Sequence, residues 1–140
     1  SRAVWELHGN WERLVCTGCG AVAALADAVT IDGDPVPACP TCAAQMRPDI
    51  VMYGESLDQG VIEAAVSAIA HASVLIVAGT SLVVYPAAGL INYFSGDHLV
   101  LMTAPPPSAD AHADLIIREP VARTFDQVME ELRARGVVPA

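Results

Sequence analysis

Apolar and polar positions follow two rhythms from Asp49 to the end of the chain, one fitting strands and the other helices. Ile50–Tyr53 reads as a short strand. Ser56 with Gln59 three residues on forms a capping box. The helix it starts carries Val61, Ile62, Ala65, Val66 and Ile69 on one stripe. Val74–Ala78 is an unbroken apolar run, which predicts a strand buried on both faces, and Gly79–Ser81 turns the chain after it. Pro86 suits a first helical turn and predicts a helix to about Phe94. Leu99–Thr103 and Leu115–Ile117 read as two more buried strands, separated by a loop containing Pro105, Pro106 and Pro107. Pro120 opens a final helix with Val121, Phe125, Val128, Met129 and Leu132 facing inward, ended by Gly136.

Nearly all-apolar strands separated by helices predict a parallel sheet with right-handed crossovers. The expected fold is therefore α/β, a partial doubly wound parallel (Rossmann-like) sheet. No G-x-G-x-x-G fingerprint occurs from residue 49 on.

Residues 12–47 differ in character. Gly18, Gly20, Gly33, Pro35, Pro37 and Pro40 mark turns, so the stretch reads as a loop-rich, zinc-ribbon-like module with short strands. It holds all four cysteines, as Cys16-x2-Cys19, nineteen residues (20–38), then Cys39-x2-Cys42. Two C-x-x-C pairs at this separation are the sequence form of a four-thiolate zinc site. Four protein ligands close the tetrahedron, so the zinc is expected to be structural. A redox pair would need only one C-x-x-C, and disulfides are disfavoured in a reducing compartment. The expected organisation has three parts: 1–11, a segment around His8; 12–47, the zinc module; and 48–140, the sheet.

Composition narrows the function. The 140 residues are 54% apolar, enough for a real core. The formal charge is −9, with seven arginines and no lysine, which argues against direct nucleic-acid binding. An acidic surface suits a cationic partner such as a lysine-rich peptide, although acidity also serves solubility. No apolar run reaches transmembrane length and no signal peptide is visible, so no membrane role and a cytoplasmic location are expected.

Four blocks, in this order, resemble the sirtuins, the NAD-dependent protein lysine deacylases. Glu6-Leu7-His8-Gly9 is similar to the family's catalytic-histidine motif, and the paired C-x-x-C module follows it directly. Arg47-Pro48-Asp49-Ile50-Val51-Met52-Tyr53-Gly54-Glu55 is similar to the segment that binds the substrate peptide. Gly79-Thr80-Ser81-Leu82-Val83-Val84-Tyr85-Pro86-Ala87-Ala88 is similar to a loop that touches NAD.

The resemblance implies NAD as co-substrate and an acylated-lysine protein or peptide as partner. It also implies free lysine, nicotinamide and O-acyl-ADP-ribose as products. His8 would be the general base that deprotonates a ribose hydroxyl, a role suited to an imidazole titrating near neutrality. Val51, Tyr53, Gly54 and Glu55 would line the peptide groove, where an extended substrate can add as a strand. Gly79, Thr80 and Ser81 would meet NAD at the carboxyl end of a strand, with Thr103 and Val121 near the adenosine. His71, His98 and His112 match no motif.

Departures from the family pattern shape the expectation. The family's glycine-rich NAD loop and its glutamine-asparagine-isoleucine-aspartate motif lie ahead of the histidine, and the chain begins seven residues before His8. It is therefore read as the C-terminal portion of such an enzyme, inactive by itself, with an uncovered face that favours self-association. Thr103 stands where asparagine is usual, and Asn10 where serine is common. The alternative reading is a non-catalytic zinc-binding interaction or regulatory fragment.

Overall fold

The structure, a computed structural model, describes residues 3–28, 36–102 and 113–139. Contacts divide the chain into two units, Ser1–Glu63 and Ala64–Ala140.

The first unit is built on a three-stranded antiparallel sheet of order β2-β1-β3, with β1 Gly9–Cys16, β2 Val22–Ala24 and β3 Met46–Ile50. Its buried centre is Leu14, Cys16, Cys39 and Met46, ringed by Ala21, Ala23, Ala28 and Ala44. Among the described residues, two of these four are predicted metal ligands, so little apolar core is seen there apart from the cysteines.

β1 and β3 do not run in simple register. Asn10 pairs with Asp49, whereas Leu14 pairs with Pro48. Residues 11–13 therefore bulge from β1 with no opposite residue on β3. Such bulges bend a strand and re-aim its side chains.

The strand expected at Ile50–Tyr53 lies instead at Met46–Ile50. Antiparallel pairing with β1 draws Met46–Ile50 into the sheet, and the turn Met52–Glu55 then ends it. α1 spans Gln59–Ala70. Its cap is Asp58 rather than the expected Ser56, because Asp58 Oδ1 accepts the Val61 N–H at 2.9 Å.

The second unit carries a parallel sheet of order β4-β5-β6, with β4 Val74–Ala78, β5 His98–Met102 and β6 Leu115–Ile117. The sheet agrees with the expected α/β class. Leu99, Leu101 and Met102 are buried in β5, as expected of a central strand. The edge strand β4 departs from expectation, with Val74 49% and Ile76 46% exposed. Its apolar run is intact, but no described residue covers that face.

The helix expected from Pro86 is a 3-10 helix over Ala87–Tyr93. Gly89, a weak helix former, sits within it and bonds to the carbonyl of Pro86 three residues back. α2, Val121–Ala134, starts after Pro120, and Gly136 takes φ +68° just beyond its end. Its expected inward stripe lies open: Phe125, Val128 and Met129 are exposed, and Thr124 is the buried residue. The stripe keeps the 3.6-residue period of an amphipathic helix, but the described residues supply no partner for that face. No helix among the described residues is long and apolar enough to cross a membrane.

Candidate functional site

The metal centre follows from two matched turns. In the first, the Cys16 N–H bonds to the Ala21 carbonyl and the Gly20 N–H to the Cys16 carbonyl. In the second, the Cys39 N–H bonds to the Ala44 carbonyl and the Ala43 N–H to the Cys39 carbonyl. Each turn needs a left-handed residue just after its second cysteine. Gly20 takes φ +73° and Ala43 takes φ +61°. Gly18 is also demanded, since a Cβ there would lie 2.8 Å from the Ala44 Cβ.

The four Sγ atoms all lie within 4.8 Å of one another. Cys16 and Cys42 approach to 3.5 Å, and Cys19 and Cys39 to 3.7 Å. Four thiolates bound at about 2.3 Å around a tetrahedral zinc stand about 3.8 Å apart, so the cluster has the dimensions of a zinc site. A disulfide would need about 2.05 Å.

Electrostatics prepare the same site. N–H groups of Cys19 and Gly18 point at the Cys16 sulfur and hold its thiol down to about 6. N–H groups of Thr41 and Cys42 lower Cys39 likewise. At Cys19 the Ala21 N–H lowers the value, but hydrogen bonds to Cys42, Cys16 and Cys39 outweigh it and push the thiol up to about 12. Crowded sulfurs without a cation cannot all ionise, and a divalent metal relieves that conflict.

The histidine sits in a turn at the start of β1. The Gly9 N–H bonds to the Glu6 carbonyl at 2.9 Å, and Gly9 takes φ +79°. A Cβ on Gly9 would lie 2.0 Å from the Asp49 carbonyl oxygen, so only glycine fits. His8 is exposed, and its own carbonyl accepts the Val51 N–H at 3.0 Å. The turn is also held by side chains. Arg13 Nη1 donates to Glu6 Oε2 at 2.8 Å, and Arg13 Nε donates to Asp49 Oδ2 at 3.0 Å. Asn10 donates to Glu6 Oε1 and accepts the Glu12 N–H, which gives this residue a definite role. The Asn10 amide, followed by Arg13, holds the Glu6 carboxyl below its ordinary range.

Directly after β3, residues 51–55 leave the sheet in a turn with Gly54 at φ +88°. Glu55 closes it: its carboxylate accepts the Met52 N–H at 3.0 Å and pairs with Arg47 at 2.9 Å. The Met52 N–H and then Arg47 lower the Glu55 carboxyl. Tyr53 is left fully exposed at the tip.

Gly79, Thr80 and Ser81 lie in the second unit at the carboxyl end of β4, with Gly79 at φ +68°. The Gly79 N–H is committed to the Met102 carbonyl at 3.2 Å, and the Thr80 hydroxyl accepts the Leu82 N–H at 3.1 Å. Val121 is half-buried at the first turn of α2. Thr103 lies outside the described residues. His8, the four cysteines and Val51–Glu55 thus share one unit, while Gly79–Ser81 and Val121 belong to the other. The sequence assigns no role to Arg13 and places Asp49 only within the peptide-segment block. The bulge that joins them is invisible in a local pattern.

A family model described as the Sir2 family matches residues 1–86. The NAD-dependent protein deacetylase of Clostridium acetobutylicum is 42% identical over 129 residues, covering 92% of this chain and 52% of that protein. That of Cutibacterium acnes is 41% identical over 139 residues, covering 99% of this chain and 54% of that protein. Among solved structures, Sir2 bound to acetylated peptide superposes with a TM-score of 0.81 at 37% identity, over 94% of this chain and 56% of that one. A Sir2-p53 peptide-NAD+ complex gives 0.82 at 37% identity, over 99% and 57%. The chain belongs to the Sir2 family. It spans about half the length of the curated relatives it matches.

Proposed function

We propose that the protein is an NAD-dependent protein lysine deacylase and that this chain is its C-terminal, base-bearing portion. The observation that carries the reading is the hydrogen bond between the His8 carbonyl and the Val51 N–H, at 3.0 Å. It ties the base to the segment proposed to hold the peptide, so the two keep one spacing. The acyl oxygen of the modified lysine would attack the ribose carbon as nicotinamide leaves, and His8 would take the proton of a ribose hydroxyl, freeing that oxygen to bond the acyl carbon. Water completes the exchange, giving free lysine and O-acyl-ADP-ribose. The names of the relatives and the peptide and NAD complexes of the structural neighbours support this reading.

Val51, Tyr53, Gly54 and Glu55 present the acylated peptide, and Gly79, Thr80, Ser81, Thr103 and Val121 contact NAD. Segment 1–11 carries the base, 12–47 the zinc, and 48–140 the nucleotide side. The protein works in the cytoplasm, where the four thiols stay reduced and available to metal. Its net charge of −9 argues against direct nucleic-acid binding.

The test is NAD-dependent nicotinamide release from an acetyl-lysine peptide by the protein as its gene encodes it. The expected result is release that His8→Ala abolishes. Absence of release, or release that survives His8→Ala, overturns the reading. A second reading, a non-catalytic fragment that self-associates, is favoured by the uncovered apolar faces of β4 and α2.

A further inference from the structure

We propose that Arg13 is a positioning residue for His8, holding the histidine turn by bridging Glu6 and Asp49. The proposal rests on His8 acting as the base described above.

Three observations converge on Arg13. First, the bulge in β1 leaves residues 11–13 without opposite residues on β3, and Arg13 stands at its end, just before Leu14 resumes pairing with Pro48. Second, its guanidinium uses two nitrogens on two carboxylates from different elements. Nη1 reaches Glu6, two residues before His8, at 2.8 Å. Nε reaches Asp49 on β3, two residues before Val51, at 3.0 Å. Third, those anchors flank the backbone bond between His8 and Val51. Arg13 therefore fixes both ends of the link between the base and the peptide segment. A planar fork can span two carboxylates in this way, whereas an ammonium is a single point charge.

The competing role is an ordinary surface ion pair. The Arg13, Glu6 and Asp49 side chains are 42%, 30% and 40% exposed, a setting in which solvent screening leaves an ion pair little effect on stability. A purely structural role therefore predicts a slight loss of stability and nothing specific to His8. A positioning role predicts loss of geometry at the turn, which enters the rate steeply.

The experiment uses the protein as its gene encodes it, loaded with zinc, with Arg13→Ala, Arg13→Lys and the remote ion-pair control Arg135→Ala. The expected result for Arg13→Ala is a fall of about tenfold in kcat with peptide KM within twofold. The Gly9 and Val51 amides should exchange with solvent about tenfold faster, while the Cys16 and Cys39 amides keep their protection. Arg13→Lys should recover only part of kcat, and Arg135→Ala should match the wild type. The proposal is overturned if Arg13→Ala leaves kcat and the Gly9 and Val51 exchange unchanged, or if exchange rises equally at Cys16 and Cys39. Should the wild type release no nicotinamide, the deacylase reading fails, and the exchange of Gly9 and Val51 still decides whether Arg13 holds the turn.

Discussion

A Cβ placed on Gly9 would lie 2.0 Å from the carbonyl oxygen of Asp49. The strand that follows the histidine turn and the strand that leads into residues 51–55 therefore meet through a bare backbone. Gly9→Ala combines this clash with a left-handed φ of +79° and should destabilise the first unit by about 3 kcal/mol. Gly20→Ala has a similar φ of +73° but open space around it, and should cost only about 1 kcal/mol. Thermal unfolding of the zinc-loaded protein compares the two. Equal effects would show that the close approach to Asp49 is relaxed in solution.

Metal removal should unfold the first unit. Cys16 and Cys39 are half of its four-residue buried centre, and structural zinc can contribute on the order of 10 kcal/mol to folding. A strong chelator, or Cys39→Ser, is expected to abolish protection of the Cys16 and Met46 amides in hydrogen exchange. Retention of that protection in verified metal-free protein would count against a metal-dependent fold.

Ala43 is a site for improvement. It holds φ +61° in the second cysteine turn, where the first turn has Gly20. Ala43→Gly removes that strain and should raise stability by about 1 kcal/mol, with the zinc ligands untouched. A lower melting temperature than wild type would show that the flexibility glycine adds to the unfolded chain outweighs the relief.

The turn Met52–Glu55 should depend on acid. The Glu55 carboxyl is lowered in the folded protein by the Met52 N–H and Arg47. A carboxyl held below its unfolded value contributes stability that is present above that value, about 4.3, and lost as pH falls through the folded value. The Met52 amide should therefore keep its chemical shift from pH 7 to about 5 and move as pH falls below 4. Glu55→Gln should remove most of that step. A transition centred at pH 6 instead would place control with another group.

Among the described residues, Phe125, Val128 and Met129 on α2 and Val74 and Ile76 on β4 leave apolar surface uncovered. The 140-residue chain should self-associate at tens of micromolar, and Val128→Glu with Ile76→Lys should shift it toward monomer. Light scattering reads the result. A monomeric wild-type chain at that concentration would dismiss the self-association reading.

The local pattern carried much of this protein. Runs such as Val74–Ala78 and Leu115–Ile117 marked parallel strands because a continuous apolar strand has few other places to go. The cysteine spacing marked the metal centre because a C-x-x-C turn can aim two sulfurs at one ion. The Gly136 stop and the start of α2 were equally local signals.

What the pattern misplaced was set by partners distant in sequence. β3 begins at Met46 because β1 pairs with it there, and the local apolar rhythm around Ile50 cannot report that. The cap of α1 passed from Ser56 to Asp58 because the carboxylate, not the hydroxyl, reaches an open N–H.

Local sequence is enough to mark four cysteines spaced for zinc, a histidine before a glycine, and strands of the right length and polarity for an α/β sheet. Why Gly9 must be glycine, what Arg13 holds, and which apolar faces stay open among the described residues emerge only from the folded chain. The reason is separation along the chain. Arg13 and Asp49 lie 36 residues apart, and their contact exists only once a bulge and a cross-strand register have formed.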